Sequence, residues 1–334
     1  MAMKVVRGEE ARLDALAGRA VAVIGYGNQG SAHALNLRDS GVRVMVGQRP
    51  GSSFEAARAA GFEVVSIAEA VAGSRLLVLG LPDEAAAAVY EQHIAPALSP
   101  PQALGFIHGF NIHFGFIDPP AGIDVVMVAP KGPGRLVRSL YCEGQGLPAL
   151  LATERDSSGE ARGLALAWAA GIGAARSAII ETTFAAETET DLFGEQAVLC
   201  GGMTALCKAA FDVLVEAGYA PELAYLECVH ELKQVVDLLY ESGLSAMRSR
   251  VSNTAEYGDL TRGPRLIDAH AREHLRGILS EIRSGQFARE WIAEHRSGMA
   301  RFRALHEADA NSAFEQAGRA VRELMPWLSG DRDR

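Results

Sequence analysis

Little in the sequence marks it for export, for a membrane or for a nucleic acid. The N-terminal stretch MAMKVVRGEE lacks the apolar segment of a secretory signal, and no later run approaches the roughly 18 apolar residues of a membrane span. The expected address is the cytoplasm, with no membrane partner. Cysteine is scarce: Cys142, Cys200, Cys207 and Cys228 form no C-x-x-C pair, and in a reducing compartment they read as buried small apolar side chains rather than bridges or ligands. A net charge of −9 from interspersed signs provides no basic stripe for a phosphate backbone, so nucleic acid is not an expected partner. Internal repeats, low-complexity tracts and a Pro/Gly/Ser-rich linker are also missing.

What remains is a globular composition, 49% hydrophobic and 22% charged, in 334 residues, which is more than one ordinary core accommodates. Short apolar runs alternate with Ala-rich helical stretches up to about Phe184: Ala20–Ile24, Val42–Val46, Leu76–Leu81, Ala103–Ile107, Asp124–Val128, Leu147–Ala152 and Ser177–Ile180. Such runs fit strands buried on both faces of a parallel sheet, with crossover helices between them. Beyond Thr183 the strand signals stop, and periodic stretches predict helices near 188–217, 221–242, 265–284, 286–296 and 311–327, punctuated by Gly218, Pro221, Gly243 and Pro264. The expected class is α/β, a doubly wound domain over 1–183 followed by an all-α domain over 184–329.

The first apolar run leads directly into Gly25-Tyr26-Gly27-Asn28-Gln29-Gly30, and a helix-compatible stretch follows from Ser31. The first glycine permits the tight turn, the second lets backbone approach a pyrophosphate, and the third lets helix and strand pack closely. This is the Rossmann-type fingerprint in its strand–turn–helix context, so the N-terminal domain is expected to bind a dinucleotide. Where an NAD site offers an acid to the ribose hydroxyls, the chain reads Gly47-Gln48-Arg49-Pro50-Gly51-Ser52-Ser53. The guanidinium of Arg49 and the hydroxyls of Ser52 and Ser53 suit a 2′-phosphate, which favours NADPH, although a plain polar turn has the same composition.

Two acidic pairs stand out in the helical half: Asp191 with Glu195, and Glu227 with Glu231. Four-residue spacing sets both carboxylates of a pair on one helix face, where hard oxygen ligands favour magnesium or manganese over zinc. Neighbours such as Leu192, Phe193, Val229 and Val235 suggest apolar surroundings in which a carboxylate needs a partner. The same spacing also fits a solvated helix face, or a network with Lys208 and Lys233. His108 and Lys131 follow two of the apolar runs, at the carboxyl edge of the sheet, where they can relay a proton and stabilise negative charge; each also fits an ordinary rim position. His33, His113 and His230 read as structural.

Six stretches taken in order resemble ketol-acid reductoisomerases of the short, single-helical-domain class. They are Val23–Gly30, His108-Gly109-Phe110-Asn111, Ala129–Gly134, Glu187–Gln196, Glu227–Lys233 and Ser252–Gly258. The resemblance implies conversion of 2-acetolactate or 2-aceto-2-hydroxybutyrate to a dihydroxy acid by metal-assisted alkyl migration followed by reduction with NADPH. It implies two Mg2+ ions, Asp191 bridging both, Glu195 completing one and Glu227 with Glu231 serving the other. It further implies that Glu231 and Lys131 handle protons and charge, that His108 orders the site, that Ser252 holds the substrate carboxylate, and that Gly134 joins the cofactor-binding residues. The second acidic pair and Ser252 are then expected from a partner subunit, making a homodimer the smallest active unit, and the helical domain is expected to be knotted. Ser31, Ser52, Arg135 and Ser249-Arg250-Val251 depart from the family's usual residues. A paralogue acting on a related acetohydroxy acid, and a metal-independent NADP-dependent hydroxyacid dehydrogenase, are the competing readings.

Overall fold

The structure, a computed structural model, describes residues 4–6 and 8–329; residues 1–3 and 7, within the first expected domain, and 330–334 lie outside the described residues. The chain divides into two compact units, Met1–Thr190 and Asp191–Arg334, and the division falls inside the helix that begins at Phe184.

In the first unit the strands are β1 (Lys4–Val6), β2 (Ala20–Ile24), β3 (Arg43–Gly47), β4 (Glu63–Val65), β5 (Leu76–Leu79), β6 (Ala103–Phe106), β7 (Asp124–Pro130), β8 (Ala149–Arg155) and β9 (Ile179–Glu181). They form one sheet in the order β1-β9-β8-β7-β6-β5-β2-β3-β4. All seven apolar runs lie on strands. The short edge strands β1 and β4 add to them, each too brief to show a period in sequence. From β4 to β7 the sheet is parallel, but β8 runs antiparallel to β7 and β1 antiparallel to β9, so the expectation of a purely parallel sheet is corrected at one end. A buried apolar run carries no direction, and only the length of its connection does.

Alternation along the strands feeds two cores. Val21 and Val23 of β2 pack on one face with Leu37, Leu164 and Trp168, while Ala22 and Ile24 pack on the other with Leu77, Leu104 and Met127. His33, on the first of these faces, is fully buried and its Nδ1 accepts a 3.0 Å hydrogen bond from Trp168 Nε1. Burial pushes its pKa down from 6.5 to about 3. The unfolded chain therefore binds the proton first, and His33 withdraws stability as pH falls from about 6.5 toward 3. Urea unfolding at pH 7 and pH 5 should differ by about 2 kcal/mol on this account, and His33→Gln, which keeps an acceptor for Trp168 without titrating, should lose that difference.

The described residues of the second unit form helices joined by turns, with no strand among them. Its small core joins Phe211, Ala224, Tyr225, Ala317, Val321 and Met325. Gly243 breaks the helix Glu231–Arg250 with φ 77° and ψ 170°, as its sequence position suggests. Pro264, expected between helices, instead lies inside Asn253–Leu266, and Ala300–Ala310 is a helix with no sequence counterpart above. Both are polar segments held by position in the fold rather than by an apolar period. The cysteines are free thiols, and Cys142 and Cys200 are exposed rather than buried. The helical run Phe184–Glu216 is long and apolar enough to cross a membrane by length and composition, with little of its most apolar stretch buried within the chain. The sequence expectation counted uninterrupted runs, whereas the fold joins short ones into a single helix.

Candidate active site

The chain goes one way from β2 to β3 and β4, then crosses back to β5 beside β2, leaving a crevice at the carboxyl ends of β2 and β5. The glycine turn sits there. Gly25 takes φ +92°, and a Cβ on it would lie 2.6 Å from the Gly80 carbonyl oxygen; one on Gly30 would lie 2.2 Å from the Gly25 carbonyl oxygen. Above Gly27 a Cβ would meet nothing within 4 Å, which is the open side a pyrophosphate needs. The helix Asn28–Asp39 starts at the turn with Gly27 as its N-cap, so its first N–H groups face that space. Tyr26 is half-buried edge-on against Phe62 at 5.7 Å, and Gln29 Nε2 donates to the Gly132 carbonyl at 3.0 Å. Gly134 is buried, and a Cβ there would lie 2.0 Å from the Asn28 carbonyl oxygen, so it lets the helix Gly134–Cys142 pack on the turn.

A cleft of about 290 Å³ opens beside the turn, bounded by Gly27, Gln29, Gly80, Pro82, His108 and Asn111 among others. Two buried oxygens in its wall, Gln29 Oε1 and Asn111 Oδ1, have no hydrogen-bond partner among the described residues. A bound dinucleotide can supply the donors they need, so the residues fit the cofactor. Arg49 and Ser52 are exposed, and Ser52 opens the helix Ser52–Ala59 with Ser53 in its first turn.

Next to His108 of this cleft, side chains converge on a residue to which the sequence reading gave no role. Glu187 is 1% exposed. Its carboxylate accepts from the Gly109 N–H at 3.1 Å and from Lys131 Nζ at 2.9 Å, and lies 3.0 Å from His108 Nδ1. Burial pushes its pKa up, but the hydrogen bond and charge of His108, and then Lys131, outweigh burial and hold the carboxyl at about 2. Glu187 therefore stays ionised at any working pH, and the stability it contributes, present above about 4.5, is lost only as pH falls through about 2. A Cβ on Gly109 would lie 2.3 Å from Thr188 Oγ1, so glycine is required for His108 to approach this helix. One signal for Glu187 was available: it precedes Asp191 by four residues, as Asp191 precedes Glu195.

The four proposed metal ligands lie in the helical unit. Asp191 is on the helix Phe184–Gly194, and Glu195 opens the π-turn Glu195–Leu199 that continues it. Glu227 lies within a second π-turn, Leu226–His230, and Glu231 begins the helix that follows. Glu195, Glu227 and Glu231 are exposed in the single chain, which corrects the expectation of buried carboxylates, because their apolar neighbours Val198, Leu199, Val235 and Val236 are exposed with them. Lys208 pairs with Asp309 and Lys233 with Asp237, so neither serves as the counter-ion considered above. Among the described residues no three of these four carboxylates bring oxygens within 4.8 Å of one another. The donor set itself, four carboxylates without thiolate or imidazole, fits Mg2+. Ser252 is exposed and caps the helix Asn253–Leu266, its Oγ accepting from Ala255 N–H at 3.1 Å.

Comparison with known proteins agrees with these features. Residues 15–178 match the acetohydroxy acid isomeroreductase NADPH-binding domain, and residues 184–327 match the ketol-acid reductoisomerase C-terminal domain. An NADH-preferring ketol-acid reductoisomerase from an uncultured archaeon is 42% identical, with a TM-score of 0.94 over 97% of this chain and 99% of that one. Two more distant structures share the fold alone. A semialdehyde dehydrogenase NAD-binding protein from Cupriavidus necator is 19% identical, with TM-score 0.62 over 80% of this chain and 99% of its own. A pyrroline-5-carboxylate reductase from Coxiella burnetii is 15% identical, with TM-score 0.54 over 80% and 96%. With both of its domains matched and a relative of that identity along nearly its whole length, the chain, an oxidoreductase and isomerase that uses a nicotinamide cofactor, belongs to the ketol-acid reductoisomerase family.

Proposed function

We propose that the chain converts 2-acetolactate, or 2-aceto-2-hydroxybutyrate, to the 2,3-dihydroxy acid by Mg2+-dependent alkyl migration and NADPH reduction. The observation that carries this reading is the buried Glu187 carboxylate gripping His108 and Lys131 at the nucleotide cleft. A plain dehydrogenase has no use for two further pairs of hard oxygen ligands.

When bound, two Mg2+ ions supply positive charge to the substrate's hydroxyl and ketone oxygens, and the reduced nicotinamide supplies hydride. The chain's own groups do the rest. In the first step the C2 hydroxyl loses its proton, the alkyl group moves from C2 to C3, and the C3 oxygen takes up a proton. In the second, hydride goes to C2 and a proton to its oxygen. Glu231 is the carboxylate assigned to these protons, and Lys131 Nζ, held by Glu187, places positive charge beside the oxygens. Ser252 Oγ accepts from its own helix and so keeps its O–H to donate, and with the first N–H groups of that helix it suits the substrate carboxylate.

A second copy of the chain is the partner that completes the site. This is supported by the exposed apolar residues beside both pairs, including Val198 at 58%, Leu199 at 62% and Val236 at 46%, and by the four carboxylates not gathering three oxygens within 4.8 Å among the described residues of one chain. NADPH is the assigned cofactor because Arg49, Ser52 and Ser53 surround a helix N-terminus where the 2′-phosphate would lie. Arg49→Ala should raise the KM for NADPH about tenfold and leave that for NADH nearly unchanged. Equal effects on both would move the assignment away from the 2′-phosphate.

The direct test follows NADPH oxidation on addition of 2-acetolactate, with Mg2+ and with chelator, for the native chain and Glu195→Gln. Turnover is expected only with Mg2+ and only with Glu195 intact. Metal-independent reduction of a preformed 2-keto acid, with no response to acetolactate, would replace this reading by the dehydrogenase.

A further inference from the structure

The helical run that carries Asp191 and Glu195 changes geometry at one place. After Gly194 a single π-turn, Glu195–Leu199, is closed by Cys200 N–H donating to the Glu195 carbonyl at 3.0 Å, five residues back. Cys200 absorbs the distortion at φ −114° and ψ −68°, and an α-helix resumes over Gly201–Glu216. Thr204 Oγ1 donates to the Cys200 carbonyl at 2.7 Å, just past the widened turn.

Two consecutive glycines follow the turn. A Cβ on Gly201 would lie 2.2 Å from the Gln196 carbonyl oxygen, and one on Gly202 would lie 2.0 Å from that of Ala197. Both obstacles are backbone atoms of the π-turn, so no side chain can rotate aside. By contrast a Cβ on Gly277, in the helix Ala269–Arg283, would meet nothing within 4 Å. Glycine weakens a helix interior, and at 201 and 202 its missing Cβ is what allows the wide turn. A π-turn holds one residue more than an α-turn. Relaxing it to α would rotate everything beyond by about 100° and shift it by about 1.5 Å relative to Asp191 and Glu195. The exposed apolar residues Met203, Leu206 and Val213 lie on that downstream helix.

We propose that Gly201 and Gly202 are positioning residues for the metal site, holding open the π-turn that sets the Asp191–Glu195 carboxylates in register with the apolar face of the helix beyond. This rests on the reading of Asp191 and Glu195 as metal ligands. As glycines the pair offers no side-chain ligand atom and acts only through the shape of the turn.

The test is Mn2+ binding by the full-length protein, followed by calorimetry, alongside NADPH binding and the KM for Mg2+. Gly202→Ala is expected to weaken Mn2+ binding and raise the Mg2+ KM at least about tenfold, with NADPH affinity and helix content kept and Gly277→Ala indistinguishable from native. A second variant guards against misfolding: Gly202→Ala with Val198 deleted removes the clash by restoring α geometry, and it should fold while still binding Mn2+ poorly. Native-like Mn2+ affinity in either folded variant overturns the proposal. If instead Glu195→Gln binds Mn2+ as the native chain does, the ligand assignment fails, and the proposal goes with it for that separate reason.

Discussion

Glu187→Gln should lower kcat roughly 100-fold or more while leaving NADPH affinity close to native. The carboxylate accepts from Lys131 Nζ and Gly109 N–H and lies against His108 Nδ1 while only 1% exposed. Glutamine keeps the size but brings an NH2 donor in place of one acceptor oxygen, so it cannot serve all three groups. Its neutral amide also removes the buried negative charge that faces two basic side chains. Removing one partner from a buried ionic cluster costs about 3 kcal/mol or more, so the unfolding midpoint should fall as well. The two effects can be told apart, because a merely destabilised protein regains full kcat at low temperature and this variant should not. A Glu187→Gln enzyme with native kcat would remove Glu187 from the proton and charge machinery.

The second large effect concerns shared sites. Glu195→Gln and Glu231→Gln should each be inactive alone. Mixed in equal amounts after dissociation and reassembly, they should recover about a quarter of native activity. Half of randomly formed dimers are heterodimers, and in each of these one of two sites has neither substitution. Among the described residues of one chain no three of Asp191, Glu195, Glu227 and Glu231 gather their oxygens within 4.8 Å, and exposed apolar side chains lie beside both pairs. No recovery, with reassembly confirmed by size, would mean that each chain builds its site alone.

How much of this the sequence revealed depends on how local each signal is. The Gly25–Gly30 turn was legible because strand, turn and helix are consecutive and each glycine answers a separate steric demand. The direction of β8 was not, since its first half, Ala149 to Ala152, is as apolar as the parallel strands and orientation is set by the connection. The helix Asn253–Leu266 escaped because its sequence, with Gly258, Gly263 and Pro264, gives no apolar stripe. Glu187 and the acidic pairs share a four-residue spacing, but whether a carboxylate is buried depends on what the rest of the chain brings. His108 and Lys131 come to Glu187 from strands 56 to 79 residues away, whereas Glu195 and Glu231 stay exposed. The π-turns were invisible in sequence because a helical period tolerates one added residue. Only the crowding at Gly201 and Gly202 shows why the turn Glu195–Leu199 persists.

If an alkyl group moves before the hydride arrives, the product of 2-acetolactate with NADPH and Mg2+, read by proton NMR, shows it most directly. Migration followed by reduction gives 2,3-dihydroxy-3-methylbutanoate, with both methyl groups on C3 and therefore two methyl singlets. Direct reduction of the C3 ketone gives 2,3-dihydroxy-2-methylbutanoate, whose C4 methyl is split into a doublet by the new C3 proton, and that spectrum would contradict the account.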